Sequence, residues 1–227
     1  MPTEFKITVD QSGSVTGLHY RAAGSKEAGA TLLLGHGAGA DQSSTFMVRF
    51  AEGLSDRGID AATFNFLYTE HGRGTPDRND KLEACYASAV NAVRQIESIG
   101  GNLLLIGGKS MGGRIASQVA SAGVSDLAGL VFLGYPLHPP GKPQQLRSNH
   151  LARIQEPMLF AQGTRDSFGS PDELRSIIKE LGLQAAVCEV EGGDHSFKVP
   201  KKGPVSQDEV YDRVMDEIAG WIRRLRR

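Results

Sequence analysis

Residues 107–114 read "GGKSMGGR", a stretch that satisfies two chemical patterns at once. Gly108-Lys109-Ser110 could close a phosphate-binding loop of the form G-x-x-x-x-G-K-[ST], and Gly108-Lys109-Ser110-Met111-Gly112 fits G-x-S-x-G, a turn that presents a nucleophilic serine. A phosphate-binding loop needs a glycine five residues before Gly108 and flexible backbone between, but position 103 is Leu and Leu104, Leu105 and Ile106 form an apolar run that belongs in a sheet. The nucleophile turn needs an apolar strand, small residues on both sides of the serine and a helix directly after. "NLLLI" leads in, Gly107, Gly108, Gly112 and Gly113 flank it, and "RIASQVASA" follows with helical spacing.

A serine hydroxyl is a weak nucleophile at neutral pH and needs a histidine to take its proton and an acid to hold that histidine, in the chain order Ser, Asp or Glu, His. "PMLFAQGTRD" is an apolar run ending at Gly163 that delivers Asp166 into a loop, and "AAVCEVEGGDHSF" ends a later run and presents His195. Asp194 is adjacent to His195, but neighbours in extended chain point apart, so Asp166 is the expected partner. Asp172 falls in the first turn of a helix, where the dipole already accounts for it. The negative oxygen formed when serine attacks a carbonyl needs two N–H donors. Met111, after the nucleophile, is one; the loop "GHGAGAD" should give the other from Ala38 or its neighbour Gly37. Removing one such donor ordinarily costs about 3–4 kcal/mol of transition-state stabilisation.

These residues have to be positioned by strands. Phe5, Ile7 and Val9 alternate with polar residues and a second extended run spans Val15 to Arg21, which predicts an N-terminal antiparallel hairpin. Six short apolar runs follow: "TLLLGHG", "AATFNF", "NLLLIGG", "LAGLVFLGYP", "PMLFAQG" and "AAVCEVEGG". Their continuity predicts strands buried on both faces of a parallel sheet. Between them helical spacing covers 46–54, 82–96, 115–122, 174–181 and 210 to the end, with Ser170 and Ser206 each three residues before a Glu. Alternating strands and helices predict an α/β fold, a mostly parallel sheet with helices on both faces and its site at the carboxyl ends of the strands.

No linker composition divides the 227 residues, so one domain over 1–227 is expected. Lys plus Arg number 25 against 26 Asp plus Glu, a balance that gives no overall field for nucleic acid or an anionic membrane, and neither is an expected partner. The terminal "RRLRR" is read as the cationic end of an amphipathic helix. Cys85 and Cys188 fall in a helix and a strand and are expected to be free thiols. The six histidines show no metal-ligand spacing, so neither a metal nor another cofactor is expected. Without a signal-peptide pattern or a long apolar span, the expected location is the cytoplasm.

Together "HGAGAD", "GGKSMGGRIAS", "GYPLHPPGKPQQLR", "EPMLFAQGTRD" and "GGDHSFKV" resemble the dienelactone-hydrolase-like α/β-hydrolases, from Thr31 to the final helix. More narrowly they resemble the branch that includes testis-expressed protein thirty and the third regulatory subunit of the NSL histone-acetyltransferase complex. The resemblance implies an α/β-hydrolase fold with Ser110, Asp166 and His195 at the triad positions and a basic residue, here Lys109, before the serine. Dienelactone hydrolases proper use a cysteine nucleophile, so their substrate is not implied for a chain with Ser110. Members used as complex subunits imply a binding or scaffold role as the alternative. A peptidase would share the same machinery.

The stretch from Leu137 to Glu156 is too short for a lid domain, so an open site is expected, bounded by it and by "LYTEHGRGTPDRND". Arg73, Arg78, His71 and His138 could meet an acidic substrate, although solvation is the ordinary use of such loop residues. The expected activity is a serine hydrolase that cleaves a small ester or thioester through an acyl-enzyme on Ser110.

Overall fold

In a strand successive side chains point to opposite faces, so an apolar run such as 31–35 needs a core on each side of its sheet. The computed structural model, which describes residues 1–22, 28–200, 202 and 204–226, has this arrangement. Leu33 packs into one core, and Leu32 and Leu34 pack into the other.

The strands are β1 (Thr3–Thr8), β2 (Ser14–Tyr20), β3 (Ala30–Gly35), β4 (Asp60–Phe64), β5 (Leu103–Lys109), β6 (Gly129–Leu133), β7 (Met158–Gly163) and β8 (Ala185–Val190). They form one sheet in the order β1-β2-β4-β3-β5-β6-β7-β8. The predicted hairpin β1–β2 is antiparallel and joins β4 antiparallel; every later pairing is parallel. One expectation fails at the far edge. β8 is only partly buried, because an edge strand has a neighbour on one side alone.

The helices are α1 (Thr45–Ser55), α2 (Leu67–Glu70), α3 (Asn79–Arg94), α4 (Met111–Ser121), α5 (Pro171–Leu181) and α6 (Gln207–Leu225). The short α2 has no counterpart in the sequence periodicity, and α4 starts four residues before its expected first position, directly after Ser110. Arg227, the last residue of "RRLRR", lies outside the described residues. Met47, Phe50 and Leu54 of α1 and Val214, Ile218 and Ile222 of α6 fill one core; α3, α4 and α5 cover the other with Tyr86, Ile115 and Leu174 among their buried residues. At about 25 cal/mol per Å² of apolar surface, each large side chain buried here contributes roughly 1.5–3 kcal/mol.

After β3 the chain turns to β4 on one side, then returns through α3 to β5 on the other. Loops that leave adjacent strands in opposite directions open a crevice at their carboxyl ends. The "GHGAGAD" loop after β3 and Ser110 after β5 are the two sides of that crevice. Residues 134–157, which link β6 to β7, hold one 3-10 turn at Asn149–Arg153 and no lid domain.

Candidate active site

Ser110 sits between β5 and α4 at φ 51° and ψ −112°, a conformation rarely adopted outside glycine. The neighbours hold it there. The Ser110 N–H donates to Leu133 O at 3.1 Å and the Ser110 carbonyl accepts from Arg114 N–H at 3.0 Å. A Cβ on Gly108 would lie 2.2 Å from Gly35 O, and one on Gly112 would lie 2.1 Å from the same oxygen, so only glycine lets the turn come this close to β3. The Tyr86 hydroxyl reaches from α3 to the last turn of β5, donating to Gly107 O at 2.6 Å and accepting from Gly107 N–H at 3.0 Å.

His195 Nε2 lies 2.8 Å from Ser110 Oγ, and His195 Nδ1 lies 2.7 Å from Asp166 Oδ2. That carboxylate oxygen also accepts from Gln162 Nε2 at 2.8 Å, while Oδ1 accepts from Phe168 N–H at 2.8 Å. A carboxylate only accepts, so Nδ1 is the protonated nitrogen and Nε2 is free to accept the serine proton. The Asp166 side chain has no solvent exposure and that of His195 has 20%. Phe168 stacks on the imidazole with centroids 4.2 Å apart. Asp194, the rejected neighbour, accepts from Ser196 and Lys198 N–H groups and stays within its own turn.

Gln162 was invisible in the sequence, lying within an apolar strand run. It is fully buried on β7, where its Oε1 accepts from Tyr135 N–H at 2.8 Å and its Nε2 donates to Gly169 O at 2.7 Å as well as to Asp166. It ties the Asp166 loop to the loop after β6.

Lys109 is nearly buried, and its Nζ donates to His195 O at 2.7 Å. Burial pulls its pKa down to about 8 against the opposing attraction of Asp166 and Asp194. The ammonium also lies 5.7 Å from the Phe46 ring centroid. The resemblance gave this residue a place and no task; its contact is a clamp on the backbone of the histidine loop.

Across the crevice, a Cβ on Gly37 would lie 3.7 Å from Ser110 Cβ. His36 is buried, which lowers its pKa and keeps it neutral. Its Nδ1 lies 2.9 Å from Gly37 O and its Nε2 accepts from Phe66 N–H at 3.2 Å, so Nδ1 is the donor. Holding Gly37 O fixes the peptide whose N–H, on Ala38, points the opposite way. Neither Ala38 N–H nor Met111 N–H has a protein acceptor among the described residues. Gly37, Ala38, Met111, Ser110 and His195 all line one cavity of about 550 Å³.

Pro76, Asp77 and Asn79 from one bounding stretch and Arg147 from the other also line this cavity. Arg73, Arg78, His71 and His138 do not: Arg73 pairs with Asp77, Arg78 with Asp80 and His138 with Glu173, and His71 is exposed. The cavity's arginines are Arg114 and Arg147, which sequence reasoning missed. Both cysteines are free, and burial raises their pKa, Cys85 to about 12 and Cys188 to about 11. Among the described residues no cluster of three His, Cys, Asp or Glu could hold a metal, and no helix is long and apolar enough to cross a membrane.

A strained serine after the fifth strand of such a sheet, in a crevice beside a strand-end histidine, defines the α/β-hydrolase class. The family model described as an alpha/beta hydrolase domain matches residues 28–223, and the chain belongs to that family. Its fold is similar to a dienelactone hydrolase from Anabaena variabilis, at 16% identity over 98% of each chain with a TM-score of 0.74. It is also similar to an α/β serine hydrolase without lid from Xanthomonas campestris, at 16% identity over 99% of this chain and 93% of that one with a TM-score of 0.72. A third similar structure is an esterase domain from Rhodothermus marinus, at 12% identity over 99% of this chain and 98% of that one with a TM-score of 0.70.

Proposed function

We propose that the protein is a serine hydrolase that cleaves a small ester or thioester through an acyl-enzyme on Ser110, with Asp166 and His195 completing its catalytic triad. The observation that carries this reading is the unbroken hydrogen-bond chain from Asp166 through His195 to Ser110 Oγ at the wall of a cavity.

As Ser110 Oγ bonds to the substrate carbonyl carbon, His195 Nε2 takes the hydroxyl proton and Asp166 stabilises the imidazolium. The carbonyl π electrons move to oxygen, where the free N–H groups of Met111 and of Ala38, with Gly37 shaping the turn, are available as donors. The imidazolium then protonates the leaving alcohol or thiol as its bond to carbon breaks. Water attacks the acyl-enzyme, giving its proton to His195, and collapse returns that proton to Ser110 Oγ and releases the acid.

A fluorophosphonate probe should label the wild type and spare Ser110→Ala. A panel of p-nitrophenyl esters, thioesters and aminoacyl amides should show ester or thioester turnover lost in Ser110→Ala. An unlabelled wild type that turns over none of the panel would reject the reading, and amide turnover alone would make the protein a peptidase. A binding or scaffold role would leave cellular function unchanged in Ser110→Ala.

A further inference from the structure

We propose that Arg114 and Arg147 form an anion-binding subsite beside Ser110, so that the substrate is an ester or thioester bearing a second, negatively charged group, a carboxylate or a phosphate. This rests on the hydrolase reading and names its substrate class. Both arginines line the same cavity as Ser110 and His195.

Neither charge is held in an ion pair, although Glu83 attracts Arg114 from beyond ion-pair distance. The Arg114 guanidinium, half-buried on α4, donates to Gln118 Oε1 at 3.2 Å and to Asn79 Oδ1 at 3.1 Å, both neutral amides. Neither Arg114 nor Arg147 has a carboxylate partner among the described residues, whereas Arg73 and Arg78 of the bounding stretch each have one. The acid on this cavity wall, Asp77, is held by Arg73 at 2.9 Å and its side chain is 6% exposed. Burial and the nearby Arg147 both lower the pKa of Arg114, and burial with Arg114 and Arg153 pushes His150 down to about 4. Burial is the larger cause of both shifts; the smaller part, repulsion between neighbouring cations, is what an anion in the cavity would relieve.

The site is also built. Arg147 is an exposed loop residue, yet its N–H donates to Leu137 O at 2.8 Å and its carbonyl accepts from the buried Tyr135 hydroxyl at 3.0 Å. The Ser117 hydroxyl lies 2.7 Å from Arg114 O and 2.7 Å from His150 Nε2 and reaches Tyr135 Oη at 3.4 Å. One polar network therefore anchors the backbone of both arginines. A guanidinium is planar and matches the two oxygens of a carboxylate or phosphate, which suits it to orient a substrate whose carbonyl must meet Ser110.

The test compares kcat/KM for p-nitrophenyl hemisuccinate and p-nitrophenyl butyrate in wild type, Arg147→Gln and Arg147→Glu. Wild type should favour the charged ester by about tenfold, the ratio falling at least fivefold in Arg147→Gln and further in Arg147→Glu, and Arg114→Lys should blunt it without removing the charge. A ratio near one in wild type, or one that the Arg147 variants leave unchanged, overturns the subsite. Calorimetric titration with succinate and with inorganic phosphate provides a readout that needs no turnover. Binding of either to wild type and its loss in Arg147→Gln supports the subsite even if neither ester is cleaved, an outcome that leaves the hydrolase reading to the probe and the full substrate panel. Tighter binding of phosphate names phosphate as the group, and binding of neither overturns the proposal.

Discussion

Lys109 has the clearest titration argument at the scale of one residue. In the folded state its pKa is lowered from 10.5 to about 8, chiefly by burial, so between those values the unfolded chain holds a proton that the folded chain has released. Stability therefore rises with pH from about 8 to about 10.5, and below 8 both states are protonated and the burial penalty is constant. Urea unfolding of wild type and Lys109→Met at pH 7.5, 9 and 10 should show wild type gaining on the variant by on the order of 1 kcal/mol per pH unit across that window. A flat difference would mean the lysine is solvated when charged. Gln162→Leu should lose about 1–3 kcal/mol, because it leaves the buried Tyr135 N–H unpaired and removes a donor from Asp166, and it should lower kcat more than it changes KM. Ser110 and His195 were legible because each follows a strand in a recognisable loop, and Asp166 because of chain order. Gln162, Arg114 and Arg147 were not: Gln162 acts by joining Asp166, four residues on, to Tyr135, 27 residues back, and the arginines act through a cavity wall shared across the fold.

At the scale of elements, the elbow depends on how closely α4 and β5 approach β3. A methyl on Gly112 would sit 2.1 Å from Gly35 O and 2.3 Å from Gly35 C, backbone that can yield only by moving β3. Gly112→Ala should therefore cost about 1–3 kcal/mol or more, while Gly74→Ala, with nothing within 4 Å of the added carbon, should stay within about 0.5 kcal/mol. Equal denaturation midpoints for the two would remove the steric account of the elbow. Helix starts were legible where a side chain announced them. Ser170 and Ser206 form capping boxes with Glu173 and Glu209, although each helix begins three residues before its first apolar position. The start of α3 at Asn79 was missed because Arg78, at its N-cap position, makes no side-chain cap bond. Alternation gave the hairpin and continuous apolar runs gave the other six strands, but only pairing order makes β8 an edge, and pairing is not a local property.

At the scale of the whole molecule, the reversal of strand order beside β3 gathers residues 36–41, 109–114, 166 and 195 at one end of the sheet, although 159 positions separate the first from the last. Among the described residues no lid domain covers that end, and the cavity of about 550 Å³ is walled by Phe46, Met47, Leu82 and Pro136 together with the charged residues. The cavity is open to solvent and no element folds over a long acyl chain that runs out of it, so the transfer energy of each further methylene, about 0.8 kcal/mol if buried, is not recovered once the chain leaves the cavity. For p-nitrophenyl esters, kcat/KM should peak between acetate and hexanoate and fall by at least tenfold at laurate. With no lid to displace, the rate should cross the substrate's micelle concentration without a jump. A preference for laurate, or activation at the micelle interface, would mean that residues 134–157 move to extend the cavity when substrate binds, and the open site described by this fold would be the resting form alone.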